Sequence, residues 1–146
     1  VQIPMVARVP SHPLAGTVIE APVCTEDLYV TTLAWAGAPP EAKPGADMMA
    51  LASGADARDL VFLEYVQAAH PLHAACPLYR GCRSARWKYA VTADGPWLLF
   101  DLENDPYERT NLVDAPEHAA VRETLHTRLM EHLSLTHDPF TLLLGS

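Results

Sequence analysis

The sequence predicts an α+β fold: a small antiparallel sheet of about four strands, packed by a long C-terminal helix. Three observations carry this. Trp87, Tyr89 and Val91 fall two apart, which places them on one face of a strand. Trp97–Phe100 is a second apolar run of strand length, and the turn formers Ala93-Asp94-Gly95-Pro96 between the two make a hairpin. Val121, Leu125, Leu129 and Leu133 recur every four residues, which predicts an amphipathic helix over 115–135.

In chain order, residues 1–10 read as a short strand, at an edge or terminus because of Pro4 and Pro10. Residues 11–22 are a turn-rich loop. Thr25 is the expected N-cap of the next helix, with Glu26 and Asp27 suited to its first turn. Leu28, Val30, Leu33, Ala34 and Ala36 form its apolar stripe, and Gly37 stops it. Asp47–Ala52 reads as a helical turn before Gly54, and Val61–Val66 as a strand. Residues 67–82 read as a long loop holding two His and two Cys. Asn104-Asp105-Pro106 ends the hairpin's second strand. Asp114-Ala-Pro-Glu117 resembles a capping box with Pro near the first helical position. Asp138-Pro139 closes the last helix. Residues 1–54 are too little to bury a core alone and look like the last strand and helix of another sheet. Residues 58–146 make a plausible unit of their own.

The 146 residues are 49% hydrophobic and 19% charged, the balance of a globular chain. Net charge is −8 with only ten Lys and Arg, which argues against a nucleic-acid or anionic-membrane footprint. No apolar run approaches the ~20 residues of a membrane-spanning helix. The thirteen prolines cluster at 4–22, 39–44 and 71–77, marking those stretches as connections. The chain starts at Val1 rather than Met, as a cut through a longer protein would. Three cysteines leave open one disulfide plus a free thiol, or no bond.

His70, His73, Cys76 and Cys82 gather four soft ligands within thirteen residues, but the spacing is not a usual zinc pattern. A Cys76–Cys82 disulfide closing the loop, or inert side chains, fit the same residues. Arg86 and Lys88 read as outward partners of acidic residues. Asp101 and Asp105 read as turn and cap carboxylates rather than an acid/base pair. Trp87, Tyr89, Trp97 and Phe100 read as core. No Ser-His-Asp arrangement, phosphate loop or carboxylate dyad is evident, so the catalytic site is read as none in this chain.

The run R-S-A-R-W-K-Y, then L-F-D-L-E-N-D-P-Y-E-R-T-N-L, then a capped helix, resembles the C-terminal region of the formylglycine-dependent (type I) sulfatases. Upstream, I-P-M-V-A-R-V-P, P-V-C-T-E-D-L, T-L-A-W-A-G and G-A-D-M-M-A-L-A-S-G resemble that family's pieces in the family's order. The resemblance implies an alkaline-phosphatase-like architecture. Residues 1–54 would end the large α/β sulfatase domain, and residues 58–146 would be the smaller C-terminal one. It implies a parent hydrolase of sulfate esters that uses calcium or magnesium and a formylglycine made from C/S-x-P-x-R. Cys76-Pro77-Leu78-Tyr79-Arg80 misses that motif, because Pro stands second instead of third. The chain is therefore expected to hold no cofactor, to be inactive alone and to play a structural, pocket-shaping part. His70, His73, Arg80 and Arg83 would line the substrate-pocket rim. The expected partner is the N-terminal catalytic sulfatase portion, or a second copy of the chain through the unpaired strand and stripe. The alternatives are a non-enzymatic self-associating or split-protein module, and the same region of a phosphodiesterase or phosphonate hydrolase.

Overall fold

The computed structural model describes residues 5–9, 13–38, 45–66 and 76–144. The chain divides into two compact units, residues 1–58 and 59–146.

In the first unit, helix α1 spans Thr25–Trp35 and helix α2 Met48–Ser53. Cys24, not Thr25, is the N-cap of α1. The Asp27 carboxylate, three residues on, accepts the Cys24 backbone N–H at 2.7 Å, which fixes the start one residue early. Asp47 caps α2 by accepting from the Met49 N–H, and Gly54 ends it at φ +74°. The α1 side chains buried here are Asp27 and Thr31, while Leu28, Tyr29 and Trp35 of the helix are exposed. The reason is local: Thr31 Oγ1 accepts the Met48 N–H and Asp27 Oδ1 accepts the Ala46 N–H, so polar anchors tie α1 to α2. Gly45 completes that tie. A Cβ there would stand 2.9 Å from the Glu26 carbonyl oxygen, and its φ is +125°. The strand expected at 1–10 is not formed over residues 5–9; residues 1–4 and 10 lie outside the described residues.

The second unit is an antiparallel sheet in the order β1-β2-β3-β4: β1 Val61–Tyr65, β2 Tyr79–Arg83, β3 Trp87–Thr92 and β4 Gly95–Asp101. Helix α3, Ala119–Leu135, lies on one face, entered through a 3₁₀ turn at Pro116–His118. Leu125, Leu129 and Leu133 of α3 join Cys82, Tyr89, Val91 and Leu99 in the core, with Leu60, Val113 and Phe140. The helical stripe and the hairpin's alternation thus meet as expected.

Strand β2 corrects the loop expected over 67–82. Tyr79-Arg80-Gly81-Cys82-Arg83 hides its alternation because one inward side chain is charged. Arg80 and Cys82 are both buried on the α3 side, and the Arg80 guanidinium is neutralised there by Asp138. A two-residue turn, Ala93-Asp94, joins β3 to β4. Ala90 pairs with Leu98 and Val91 with Pro96, so Trp97 is the extra residue of a β-bulge.

Candidate functional site

Of the four expected rim residues, His70 and His73 lie outside the described residues. Arg80 is committed to the fold. Its Nε and Nη2 bind the Asp138 carboxylate at 2.7 and 3.1 Å, and its guanidinium lies 5.0 Å from the centroid of Phe140. This bidentate pair fastens the chain after α3, where Asp138 also caps the 3₁₀ turn Pro139–Leu142. The pair holds the Asp138 carboxyl below its usual range. Arg83 lies one turn of the pleat further, on the face away from α3, directly opposite Lys88 in the ladder.

The hairpin and the segment after it are laced together. Arg86 binds Asp101 through Nη2 at 2.7 Å, and Asp101 also accepts from Asn104 Nδ2 and the Glu103 N–H. The Arg86 hydrogen bond outweighs burial and lowers the Asp101 pKa to about 2. Asp105 accepts the backbone N–H groups of Arg109 and Thr110. Lys88 Nζ meets Glu108 Oε2. Asn111 clasps β4 from the side, accepting the Leu99 N–H and donating to the Trp97 carbonyl, both at 2.9 Å. Arg86, Lys88, Asp101 and Asp105 therefore have the structural roles their sequence setting suggested.

A second polar centre, in the first unit, was not visible in the sequence. Asp27 is fully buried and binds both Arg58 Nη atoms besides the Cys24 and Ala46 N–H groups. Burial pushes its carboxyl up, yet these four donors together hold it below the usual range. The residues stand thirty-one apart, too far for any local pattern to announce them.

The cysteines are free thiols. Cys82 is buried in the core, its Sγ 3.9 Å from the Leu125 carbonyl oxygen, whereas Cys76 lies half-buried ahead of β2. The Cys76–Cys82 bond left open by the sequence is not formed. Among the described residues no group of three or more His, Cys, Asp or Glu side chains is arranged to hold a metal ion.

One aromatic cluster lies on the face away from α3, and of its rings Trp97 was expected in the core. Tyr65 and Tyr79, cross-strand partners, stack with ring centroids 5.5 Å apart and planes 8° apart. Tyr79 and Trp97 follow at 5.5 Å and 47°. The bulge brings Trp97 to this face, and nothing in the local sequence marks it. All three rings are half-buried.

Residues 1–134 match the family model described as N-sulphoglucosamine sulphohydrolase, C-terminal. The chain is 28% identical, over 96% of its length, to an ulvan-active sulfatase from Formosa agariphila. It matches, at a TM-score of 0.63 over 77% of its length and 22% identity, the structure of BT4656 in complex with its substrate D-glucosamine-2-N,6-O-disulfate. That likeness concerns the fold. The phosphonate monoester hydrolase of Agrobacterium radiobacter matches at a TM-score of 0.58, with 27% identity over 76% of the chain. The chain spans 28% of the Formosa sulfatase and 24% of each of the two structures.

Proposed function

From the premise that this chain belongs to the family of sulfatase C-terminal regions with the alkaline-phosphatase-like fold, we propose that it is the pocket-shaping C-terminal part of a sulfate-ester hydrolase. The observation that carries this is the family match over residues 1–134, beside relatives more than three times as long. In this reading residues 1–54 complete the large α/β domain and residues 58–146 form the small one. The N-terminal catalytic portion holds the formylglycine and the divalent ion, which supply the nucleophile and neutralise charge on the sulfate. The chain's own contribution is rigid support plus hydrogen-bond donors at the pocket rim. Arg80 is spent on Asp138, so the rim narrows to Arg83 with His70 and His73. By itself the chain is inactive.

The test compares the full-length protein with this chain on 4-nitrophenyl sulfate. Turnover by the former and none by the latter is expected, with Arg83→Ala lowering kcat/KM of the full-length protein while Arg80→Ala lowers stability instead. Turnover by the chain alone would sink the proposal. The likeness to the phosphonate monoester hydrolase supports a second reading, the same region of a phosphonate or phosphodiester hydrolase. A full-length protein that cleaves 4-nitrophenyl phenylphosphonate and spares the sulfate would establish it. The exposed Leu28, Tyr29 and Trp35 of α1 favour a third, self-association, which light scattering checks.

A further inference from the structure

We infer that Tyr65, Tyr79 and Trp97 form a wall against which the sugar ring of a sulfated saccharide stacks, so that they set specificity for the organic part of the substrate. The inference deepens the proposed sulfatase reading and rests on it. Its basis is geometric. The three rings come from β1, β2 and β4 and run side by side on the face opposite α3. Trp97 reaches them because it is the extra residue of the bulge, the device by which sheets re-aim a side chain beside a site. Asn111 then fixes the bulged backbone through the Trp97 carbonyl.

The polar tips decide what occupies the wall. On the α3 side, the Tyr89 hydroxyl is satisfied by His126 Nδ1 at 3.0 Å, as a buried tyrosine requires. Among the described residues the Tyr79 hydroxyl and the Trp97 indole N–H have no hydrogen-bond partner. An aliphatic side chain laid on the strip would leave both unmet. A sugar ring meets both needs: its C–H face stacks on the aromatic rings, and its hydroxyls accept from the indole N–H and exchange hydrogen bonds with the phenol. Tyr65 closes β1 and Tyr79 opens β2, so the strip lies at one end of the sheet.

The experiment uses the full-length protein with 5-fluorotryptophan and follows ¹⁹F resonances during titration with N-sulphoglucosamine and with glucosamine. The Trp97 signal is expected to shift while those of Trp35 and Trp87 stay, and Tyr79→Phe, which keeps the ring and the fold, is expected to weaken binding at least threefold. A stationary Trp97 signal, identified by its loss in Trp97→Leu, or tryptophan signals that all move together, overturns the wall. In kinetics, Trp97→Leu is expected to raise KM for N-sulphoglucosamine about tenfold and leave KM for 4-nitrophenyl sulfate unchanged. Equal losses on both substrates mean a structural role and overturn it too. A protein that hydrolyses neither substrate removes the sulfatase reading, while the resonance shifts still decide the wall.

Discussion

Lys88 Nζ lies 2.5 Å from Glu108 Oε2, and this contact joins two sequence segments twenty residues apart. Lys88 belongs to the Trp-Lys-Tyr run of β3, and Glu108 to the Asp-Pro-Tyr-Glu loop after β4. Glu108 holds φ +54°, a left-handed backbone that a side chain other than glycine seldom adopts. Asp105 stabilises that turn through the Arg109 and Thr110 N–H groups. The residues that most resemble the sulfatase signature thus fasten a hairpin to its following loop. They identify the family because they build its fold.

The Glu108 position separates strain from charge pairing. Glu108→Gly loses the carboxylate but relaxes the backbone, whereas Glu108→Ala loses it and keeps the strain. The alanine variant should be less stable than the glycine variant by about 0.5–1 kcal/mol in urea unfolding. A double-mutant cycle with Lys88→Met and Glu108→Gln should give a coupling of about 0.5–1 kcal/mol. Lys88→Met alone should cost less than its lost pair suggests, because it also removes a cation facing Arg83.

Asp27→Asn should loosen the first unit more than any surface change. The variant leaves Arg58 facing a neutral amide within a site built for a carboxylate, and losing one partner of a buried pair costs roughly 3–5 kcal/mol. Arg58 retains some exposure, which places the expected loss near the lower end. Hydrogen exchange reads the effect directly: protection of the Cys24 and Ala46 amides should fall. Unchanged protection at both would mean that Asp27 is not the hub of this unit.

Acid should destabilise the protein in a defined window. Arg128 lowers the pKa of Asp59, Arg86 that of Asp101 to about 2, and Arg80 that of Asp138; at Asp27 burial opposes the shift but the donors prevail. A depressed folded pKa means the unfolded chain binds more protons between the two values, so stability rises with pH there. Their contribution is complete above the ordinary carboxylate range near ~4 and is lost as pH falls toward 2. Urea midpoints measured from pH 7 to pH 2 should hold steady and then drop below about pH 4. Asp101→Asn should flatten the lowest part of that curve.

The second unit was legible where periodicity controls structure. Trp87, Tyr89 and Val91 alternate in sequence and in space, and the Leu125–Leu129–Leu133 stripe packs on them. Strand β2 was illegible because Arg80 breaks the alternation, and only Asp138, fifty-eight residues away, makes it tolerable there. The N-cap moved from Thr25 to Cys24 because the deciding partner was the Asp27 carboxylate, not the cap's own side chain. Of the rim, sequence singled out Arg80 and Arg83 alike. Strand parity separates them, sending Arg80 toward α3 and Arg83 to the other face. Trp97 was taken for core because a one-residue bulge leaves no trace in composition.

Thiol chemistry gives a final check that needs no knowledge of the substrate. Cys24 caps α1 with an Arg58 Nη1 3.7 Å from its sulfur, a setting that ordinarily favours a thiolate. Burial acts against it, a hydrogen bond with Glu26 and the nearby Asp27 charge add to that, and the pKa rises to about 12. Burial alone lifts Cys82 to about 12 as well. A disulfide-exchange reagent at pH 8 should therefore label Cys76 first, and reach Cys24 and Cys82 only as the protein opens. Three thiols should titrate in guanidinium without reductant, since all three are free. Asp27→Asn should speed labelling of Cys24 and leave Cys82 slow, because the loosened cap belongs to the first unit and the Cys82 thiol to the core of the second. One titratable thiol in place of three, with a Cys76–Cys82 disulfide peptide in a non-reducing map, would contradict the packing of Cys82 against Leu125.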